Sequence, residues 1–374
     1  MFTINSHKLD VIKSNIAFIS YPALNFLFII ILPITQEKYI YNGFIEAFSI
    51  GNLTLIVGGI GVGGYLLEYT KSFKKLPIVG LLTTQALYFT VLFGLSFFIA
   101  SLQAALFLSL ALISFYNFEV IVKGVLAKKD LVSFRCLSAL LLLLAILAIF
   151  LCKLKLYELL LLRIVVAIFP IVFFLKLNWT QFKKKTSNDK INVLASVRYS
   201  ISSLMTIGFY SADKIILSDI LSEDHFFLYS VLSYNTIMIA NRLTEQILNH
   251  SIFTYRIKLK INTFACVFIL LFLSNIALNI FIYDSKLSLL SVFLFSLTAV
   301  LMSFSDHLWW ELSIKKNMVK YFSSISLTLF SLYCLCMLML DINNIDVAIL
   351  PALIMFILSS ASSLYIFNKQ KTIE

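Results

Sequence analysis

Five polar residues on one predicted helix could bind a charged ligand inside a membrane. The residues that share this helix face are Asn235, Arg242, Glu245, Gln246 and Asn249. A charge at the centre of a bilayer costs about 2.5–3.5 kcal/mol on insertion scales, so such residues usually face water or a partner. The face therefore indicates the wall of a water-filled cavity in which Arg242 meets an anionic group. The alternative is that Arg242 pairs with Glu245 at the i, i+3 spacing and holds helices together.

Three charged residues mark the predicted helix that precedes this face. Arg198 lies near one end, where it either lines the cavity or is a charge that sets topology. Asp213 and Lys214 are adjacent near the other end. They form either an interfacial ion pair with a snorkelling lysine or part of a gate.

Acidic residues in other apolar segments are candidates for carrying a coupling proton or cation. Asp306 and His307 are neighbours in one segment, and the alternative is that they form hydrogen bonds between helices. Glu46 and Arg163 lie in two further segments, where they are either partners or part of a cavity lining. The residues expected to bind substrate are Arg163, Arg198, Asn235, Arg242 and Asn249, and those expected to couple an ion are Glu46, Asp213, Glu245 and Asp306.

No motif in the sequence predicts an enzyme. The G-x-S-x-G, H-E-x-x-H and Walker patterns are missing, and the four histidines lie far apart along the chain. The five cysteines make no C-x-x-C pair. Gly59 and Gly63 follow no predicted strand, so they indicate close helix packing rather than a phosphate loop. We therefore expect no catalytic residue, no cofactor and no metal ion.

The composition requires a lipid environment. Of the 374 residues, 60% are hydrophobic and 13% are charged, and the mean hydropathy is +0.94. A soluble domain carries about 25% charged residues, so this chain has too few polar side chains to cover a surface in water. The predicted fold class is therefore an all-α integral membrane protein.

Apolar runs of about 20 residues, the length that crosses a bilayer, occur twelve times. They fall at 12–34, 40–67, 76–99, 103–123, 133–152, 157–177, 193–220, 225–249, 262–283, 287–313, 320–340 and 347–367. The longest predicted loop divides the chain into an N-terminal six-helix bundle at 1–180, a cytoplasmic linker at 181–192 and a C-terminal six-helix bundle at 193–374.

Lysine and arginine are distributed unevenly between alternate predicted loops. The termini and the even-numbered loops hold 21 basic residues, Arg135 among them, whereas the odd-numbered loops hold four. Basic loops stay on the cytoplasmic side, so both termini are predicted to be cytoplasmic and the protein to lie in the inner membrane. The basic cytoplasmic loops therefore explain the net charge of +11, which does not predict binding to nucleic acid. The polar residues 1–15 predict no cleaved signal peptide.

The two predicted halves contain a short internal repeat. Residues 30–37 read Ile-Ile-Leu-Pro-Ile-Thr-Gln-Glu, and residues 215–223 read Ile-Ile-Leu-Ser-Asp-Ile-Leu-Ser-Glu. Each segment lies at the outer end of the first helix of its half. Internal repeats are typical of transporters, whose substrate path runs between the repeated halves.

Residues 198–246 resemble the seventh and eighth helices of polysaccharide (O-antigen type) flippases, members of the multidrug/oligosaccharidyl-lipid/polysaccharide exporter superfamily. The shared pattern is an acid followed by a basic residue, an Ile/Leu run, a short acidic turn and a tyrosine. Here residues 213–217 read Asp-Lys-Ile-Ile-Leu, Tyr229 follows the turn, and Phe227 replaces the family's glycine.

This resemblance implies two six-helix bundles around a central cavity. It also implies transport of undecaprenyl-diphosphate-linked oligosaccharide across a bacterial inner membrane for O-antigen or capsule synthesis, with membrane lipids and a polysaccharide polymerase as further partners. A cationic cavity suits a diphosphate because arginine forms paired hydrogen bonds with phosphate oxygens. Two alternatives stay open: a cation-coupled drug or small-molecule antiporter of the same fold, and a membrane glycan polymerase. The short outer loops weigh against the polymerase.

Overall fold

The structure is a computed structural model whose described residues are mostly helical. They comprise 20–55 except 22 and 26, 76–77, 128–184, 186–187, 207–254, 261–281, 286–313 and 319–371, with single residues or short runs at 83, 86, 90, 108, 111–112, 114–115, 118, 197–198, 201 and 204. The all-α prediction is confirmed for this part of the chain. The chain divides into two compact units, unit 1 (Met1–Ser200) and unit 2 (Ile201–Glu374).

Unit 1 contains four described helices and one pair of two-residue strands. The helices are α1 (Ala23–Thr35), α2 (Lys38–Leu55), α3 (Lys128–Leu151) and α4 (Leu156–Lys184). The strands β1 (Leu76–Pro77) and β2 (Thr186–Ser187) pair in parallel, with Leu76 opposite Thr186.

Two predicted boundaries in unit 1 need correction. β1 occupies the first two positions of the third predicted span, 76–99. The rest of that span and most of the fourth, 103–123, lie outside the described residues. The predicted linker at 181–192 begins inside α4, which continues past a break at Asn178. The Asn178 amide donates a hydrogen bond to the Phe174 carbonyl at 3.2 Å, and this contact holds the chain at the break.

Unit 2 contains six described helices that correspond to the seventh to twelfth predicted spans. They are α5 (Ile207–Ile220), α6 (Glu223–Thr254), α7 (Ile261–Phe281), α8 (Leu289–Ser313), α9 (Val319–Met339) and α10 (Ile345–Lys371). α8 and α10 pack closely because small side chains line their contact. Ser305 and Ser359 are hydrogen-bonded, and the Ser360 hydroxyl donates to the Leu301 carbonyl at 3.3 Å.

Five of the described helical segments are long and apolar enough to cross a membrane. They are Val132–Leu151, Leu156–Thr180, Leu289–Leu308, Tyr321–Met339 and Ile345–Ile366. On α3, Leu142 and Ile149 are buried, whereas Leu140 and Leu147 on the opposite face are exposed. A surface helix of a soluble protein presents polar residues on its outer face, so the exposed leucines of α3 suit contact with lipid.

Arg135 lies in a helix rather than in the predicted basic loop. α3 begins at Lys128, and Arg135 is buried within it, with its guanidinium carbon 5.6 Å from the centre of the Tyr21 ring. A cation–π contact of this kind stabilises a guanidinium away from water. A basic residue beside an apolar run is therefore not always a loop residue.

Gln36 lies in the turn between α1 and α2, and its side chain is hydrogen-bonded to the backbone around the turn between α3 and α4. Its amide nitrogen donates to the carbonyl oxygens of Ile149 and Cys152 at 3.2 and 3.3 Å. Its carbonyl oxygen accepts from the Leu154 amide at 3.0 Å. Gln36 is buried, so these bonds supply partners to backbone groups that have little access to water.

The substitution Gln36→Leu should destabilise the protein by about 1–3 kcal/mol, because it removes the side-chain partners of three backbone groups. The thermal unfolding midpoint of the purified protein in detergent measures this loss. Glu37→Gln, which changes the exposed neighbouring side chain, is the matched control. Equal midpoints for the two variants would contradict the role of Gln36.

Candidate functional site

α5 and α6 form a helical hairpin that brings their polar residues together. α5 ends at Ile220 and α6 begins at Glu223, so only two residues join them. Glu223 and Asp224 lie in the first turn of α6, where negative charge complements the helix dipole. A turn this short returns α6 alongside α5.

Lys214 is buried in this hairpin and contacts both helices. Its Nζ atom lies 3.1 and 3.2 Å from the two carboxylate oxygens of Asp213 and donates to Ser233 Oγ at 2.8 Å. The same atom lies 4.6 Å from the ring centre of Tyr234 and 5.8 Å from that of Tyr229. The ammonium group thus has a carboxylate, a hydroxyl and two aromatic rings around it.

Asp213 also contacts α6. Its Oδ2 atom accepts a hydrogen bond from the Tyr229 hydroxyl at 2.7 Å. Adjacent residues on a helix point about 100° apart, so their side chains do not normally face each other. Here the side chains of Asp213 and Lys214 meet, and each is also hydrogen-bonded to a residue of α6. The snorkelling interpretation of Lys214 is wrong, since the exposed fraction of its side chain is 0%.

The Asp213 carboxylate and the Lys214 ammonium group neutralise each other inside unit 2. Asp213 already has Lys214 as its counter-ion, so binding a further cation there would leave excess positive charge in a buried site. A coupling role for Asp213 stays a prediction, and it requires the Lys214 contact to open. The hydrogen bonds of Lys214 to Ser233 and of Tyr229 to Asp213 connect α5 to α6.

Arg163 is a buried cation of unit 1. Its guanidinium donates a hydrogen bond to Oδ1 of Asn25 and lies 5.3 and 5.7 Å from the ring centres of Phe28 and Phe48. The exposed fraction of Arg163 is 4%. Its hydrogen-bond partner in the described residues is therefore the amide of Asn25, and not the carboxylate of Glu46 that the sequence suggested as one alternative.

The remaining predicted residues are spread over several helices. Asn235 is buried in α6, Glu46 and Asp306 are half-buried in α2 and α8, and Arg198 is exposed. The predicted residues whose side chains lie outside the described part of the chain are Arg242, Glu245 and Asn249. Their binding and coupling roles stay predictions.

Sequence reasoning missed several polar contacts. Ser233 and Tyr234 were not singled out, although they surround Lys214. Asn275, in the apolar helix α7, donates to Thr236 Oγ1 at 2.9 Å and to Ser296 Oγ at 3.1 Å. An asparagine within an apolar run is the available signal, because a buried amide needs partners. Among the described residues, no group of three or more His, Cys, Asp or Glu could hold a metal ion.

Comparisons of the chain with protein-family models, with curated proteins and with solved structures found no match.

Removing one member of the Asp213–Lys214 pair should destabilise the folded protein more than removing both. Asp213→Asn or Lys214→Met alone leaves a buried charge unpaired and should cost about 3–5 kcal/mol. The double variant leaves neither charge, and its thermal midpoint in detergent should exceed that of either single variant. Asp219→Asn, an exposed acid on α5, is the control. Additive losses in the double variant would refute the pairing.

Proposed function

We propose that the chain is a flippase of a bacterial inner membrane. Its substrate would be an undecaprenyl-diphosphate-linked oligosaccharide repeat unit used for O-antigen or capsule synthesis. The proposal includes twelve spanning helices in two six-helix bundles and cytoplasmic N- and C-termini. A polysaccharide polymerase would act on the translocated product.

The observation that carries the proposal is a repeated helical hairpin. α1 ends at Thr35 and α2 begins at Lys38, while α5 ends at Ile220 and α6 begins at Glu223, so both boundaries recur after 185 positions. The backbone bonds recur at the same interval. Gln36 N–H donates to Leu32 O at 3.0 Å, and its counterpart Leu221 N–H donates to Leu217 O at 2.9 Å.

Helix neighbours support the same repeat. In unit 1, α4 packs against both α2 and α3. In unit 2, α10 packs against both α6 and α9, which are the corresponding helices if each unit has six spans. Repeated helical units are a common construction of transporters that work by alternating access, in which the substrate site faces the two sides of the membrane in turn.

Charge and composition favour a lipid-linked anionic substrate. Five helical segments are apolar enough to contact lipid along their length, which suits a substrate whose tail stays in the bilayer. Buried basic residues occur in both units, at Arg163 and Lys214. Arg163, Arg198 and Arg242 would attract the diphosphate, with Asn235 and Asn249 as polar contacts, and Glu46, Glu245 or Asp306 would carry any coupling ion.

Deletion of the gene should abolish surface polysaccharide and should leave the single-repeat lipid intermediate on the cytoplasmic face. Expression of the wild-type protein should restore export, whereas Arg242→Ala should not, since it removes a proposed diphosphate contact. Lys286→Ala, which removes an exposed charge outside the helices, is the matched control. Polysaccharide analysis and extraction of lipid-linked intermediates give the two readouts.

Other outcomes distinguish the alternatives. An intermediate that reaches the outer face and fails only to polymerise would favour the glycan polymerase. Intact surface polysaccharide in the deletion strain would contradict the flippase and favour the antiporter, which should lose transport on neutralisation of an acid but not of Arg242.

A further inference from the structure

A buried cation contacts matching positions of the hairpin in each unit, although Arg163 lies on α4 and Lys214 on α5. Adding 185 to the residue number relates Phe28 to Asp213 and Phe48 to Ser233. In unit 1, the Arg163 guanidinium lies over the Phe28 and Phe48 rings, 5.3 and 5.7 Å from their centres. In unit 2, Lys214 Nζ contacts Asp213 at 3.1 Å and Ser233 at 2.8 Å. The two cations therefore contact matching positions of the two hairpins.

The surroundings of the two cations differ in charge. Lys214 has the Asp213 carboxylate as its counter-ion. Arg163 has a neutral amide, Asn25, and two phenyl rings, and one terminal nitrogen of its guanidinium is buried without a hydrogen-bond partner among the described residues. The position that supplies the carboxylate in unit 2 holds Phe28 in unit 1. Unit 1 thus carries a buried positive charge that its described residues do not neutralise.

A buried charge without a counter-ion is destabilising, because an amide and aromatic rings replace only part of its hydration. A guanidinium has a planar arrangement of N–H donors that matches two oxygens of a phosphate or carboxylate. One nitrogen is already held by Asn25, so the group is oriented before a ligand arrives, and the second nitrogen has a vacant donor.

We propose that Arg163 and Asn25 form an anion site within unit 1 that takes phosphate oxygens. The assignment of the natural ligand as the diphosphate of a lipid-linked oligosaccharide rests on the proposed function, whereas the anion site does not. The second Arg163 nitrogen is buried, so the side chains around it must move for an anion to reach it. The bound anion serves as the counter-ion of Arg163, as Asp213 does for Lys214. The Lys214 ammonium group already has Asp213 and Ser233 as hydrogen-bond partners.

Inorganic pyrophosphate, added to the purified full-length protein in detergent, is the first probe. It should raise the thermal midpoint of the wild-type protein in a saturable manner, because a ligand that binds only the folded state stabilises it. The apparent affinity should fall about tenfold or more in Arg163→Gln, since the substitution removes a hydrogen bond from a charged donor. Arg163→Lys, which keeps the charge and loses the planar donors, should bind with intermediate affinity.

Two further variants separate anion binding from general effects of charge and stability. Phe28→Asp builds the counter-ion of unit 2 into unit 1 and should abolish the response to pyrophosphate while Arg163 is still present. Lys176→Gln removes an exposed charge from the same helix as Arg163 and should respond like the wild type. An Arg163→Gln protein that responds like the wild type would overturn the site, as would a wild-type protein that shows no saturable response.

Nanodiscs of defined lipid identify the source of the phosphate oxygens. If pyrophosphate stabilises the protein equally in phosphatidylglycerol and phosphatidylcholine nanodiscs, the site takes a separate phosphate-containing ligand. If phosphatidylglycerol alone gives the Arg163-dependent stabilisation and pyrophosphate adds nothing to it, the site takes a lipid headgroup. Either result supports the anion site. The deletion phenotype tests the flippase separately, so failure of one proposal is distinguishable from failure of the other.

Discussion

The cost of placing a positive charge inside an apolar helical protein is the constraint on which this structure depends most. Water cannot solvate a group between packed helices, so each buried cation needs a carboxylate, hydrogen-bond acceptors or aromatic faces nearby. Lys214 has all three, from Asp213, Ser233 and the rings of Tyr229 and Tyr234. In the described part of the chain, Arg163 has an amide and two rings beside it, but no carboxylate. The hairpins of the two units therefore have matching boundaries and differ in the charge beside them.

In the transport cycle that we propose, this difference would give the two hairpins separate roles. A neutralised pair such as Asp213–Lys214 links α5 to α6 and resists separation, because opening it exposes two charges to an apolar interior. The hairpin of unit 1 has no such ionic link at the matching position, and its contacts with Arg163 are an amide and aromatic rings. We expect the unit 1 hairpin to respond to an anionic substrate and the unit 2 hairpin to keep its shape.

The sequence predicts the helices well where apolar runs end in clear polar turns. The seventh predicted span ends at 220, as α5 does, and α10 exceeds the predicted 347–367 by only a few residues at each end. The sequence predicts an Asp213–Lys214 pair because the two opposite charges are adjacent near the end of an apolar run. Their burial cannot be predicted from the sequence, because it depends on contacts with Tyr229 and Ser233, which lie on the next helix.

The remaining errors have a common physical cause. Arg135 was assigned to a loop because basic residues beside apolar runs usually mark topology, yet an aromatic ring of Tyr21 lies beside its guanidinium in the interior. Similarly, nothing in the sequence indicates that Asn25 is the partner of Arg163, 138 positions away. Pairings between distant helices depend on packing, whereas hydropathy and charge patterns report only on one helix or loop at a time.

Reconstitution of the purified protein into liposomes tests whether it moves a lipid-linked oligosaccharide across a bilayer. A fluorescent undecaprenyl-diphosphate-linked oligosaccharide, placed in the outer leaflet, is exposed to a membrane-impermeant quencher after incubation. If the protein is a flippase, liposomes that contain it should protect a growing share of the fluorescence, and empty liposomes should not. Arg163→Gln should slow this protection, while Lys176→Gln should leave it unchanged. Equal protection in empty and protein-containing liposomes would contradict the flippase.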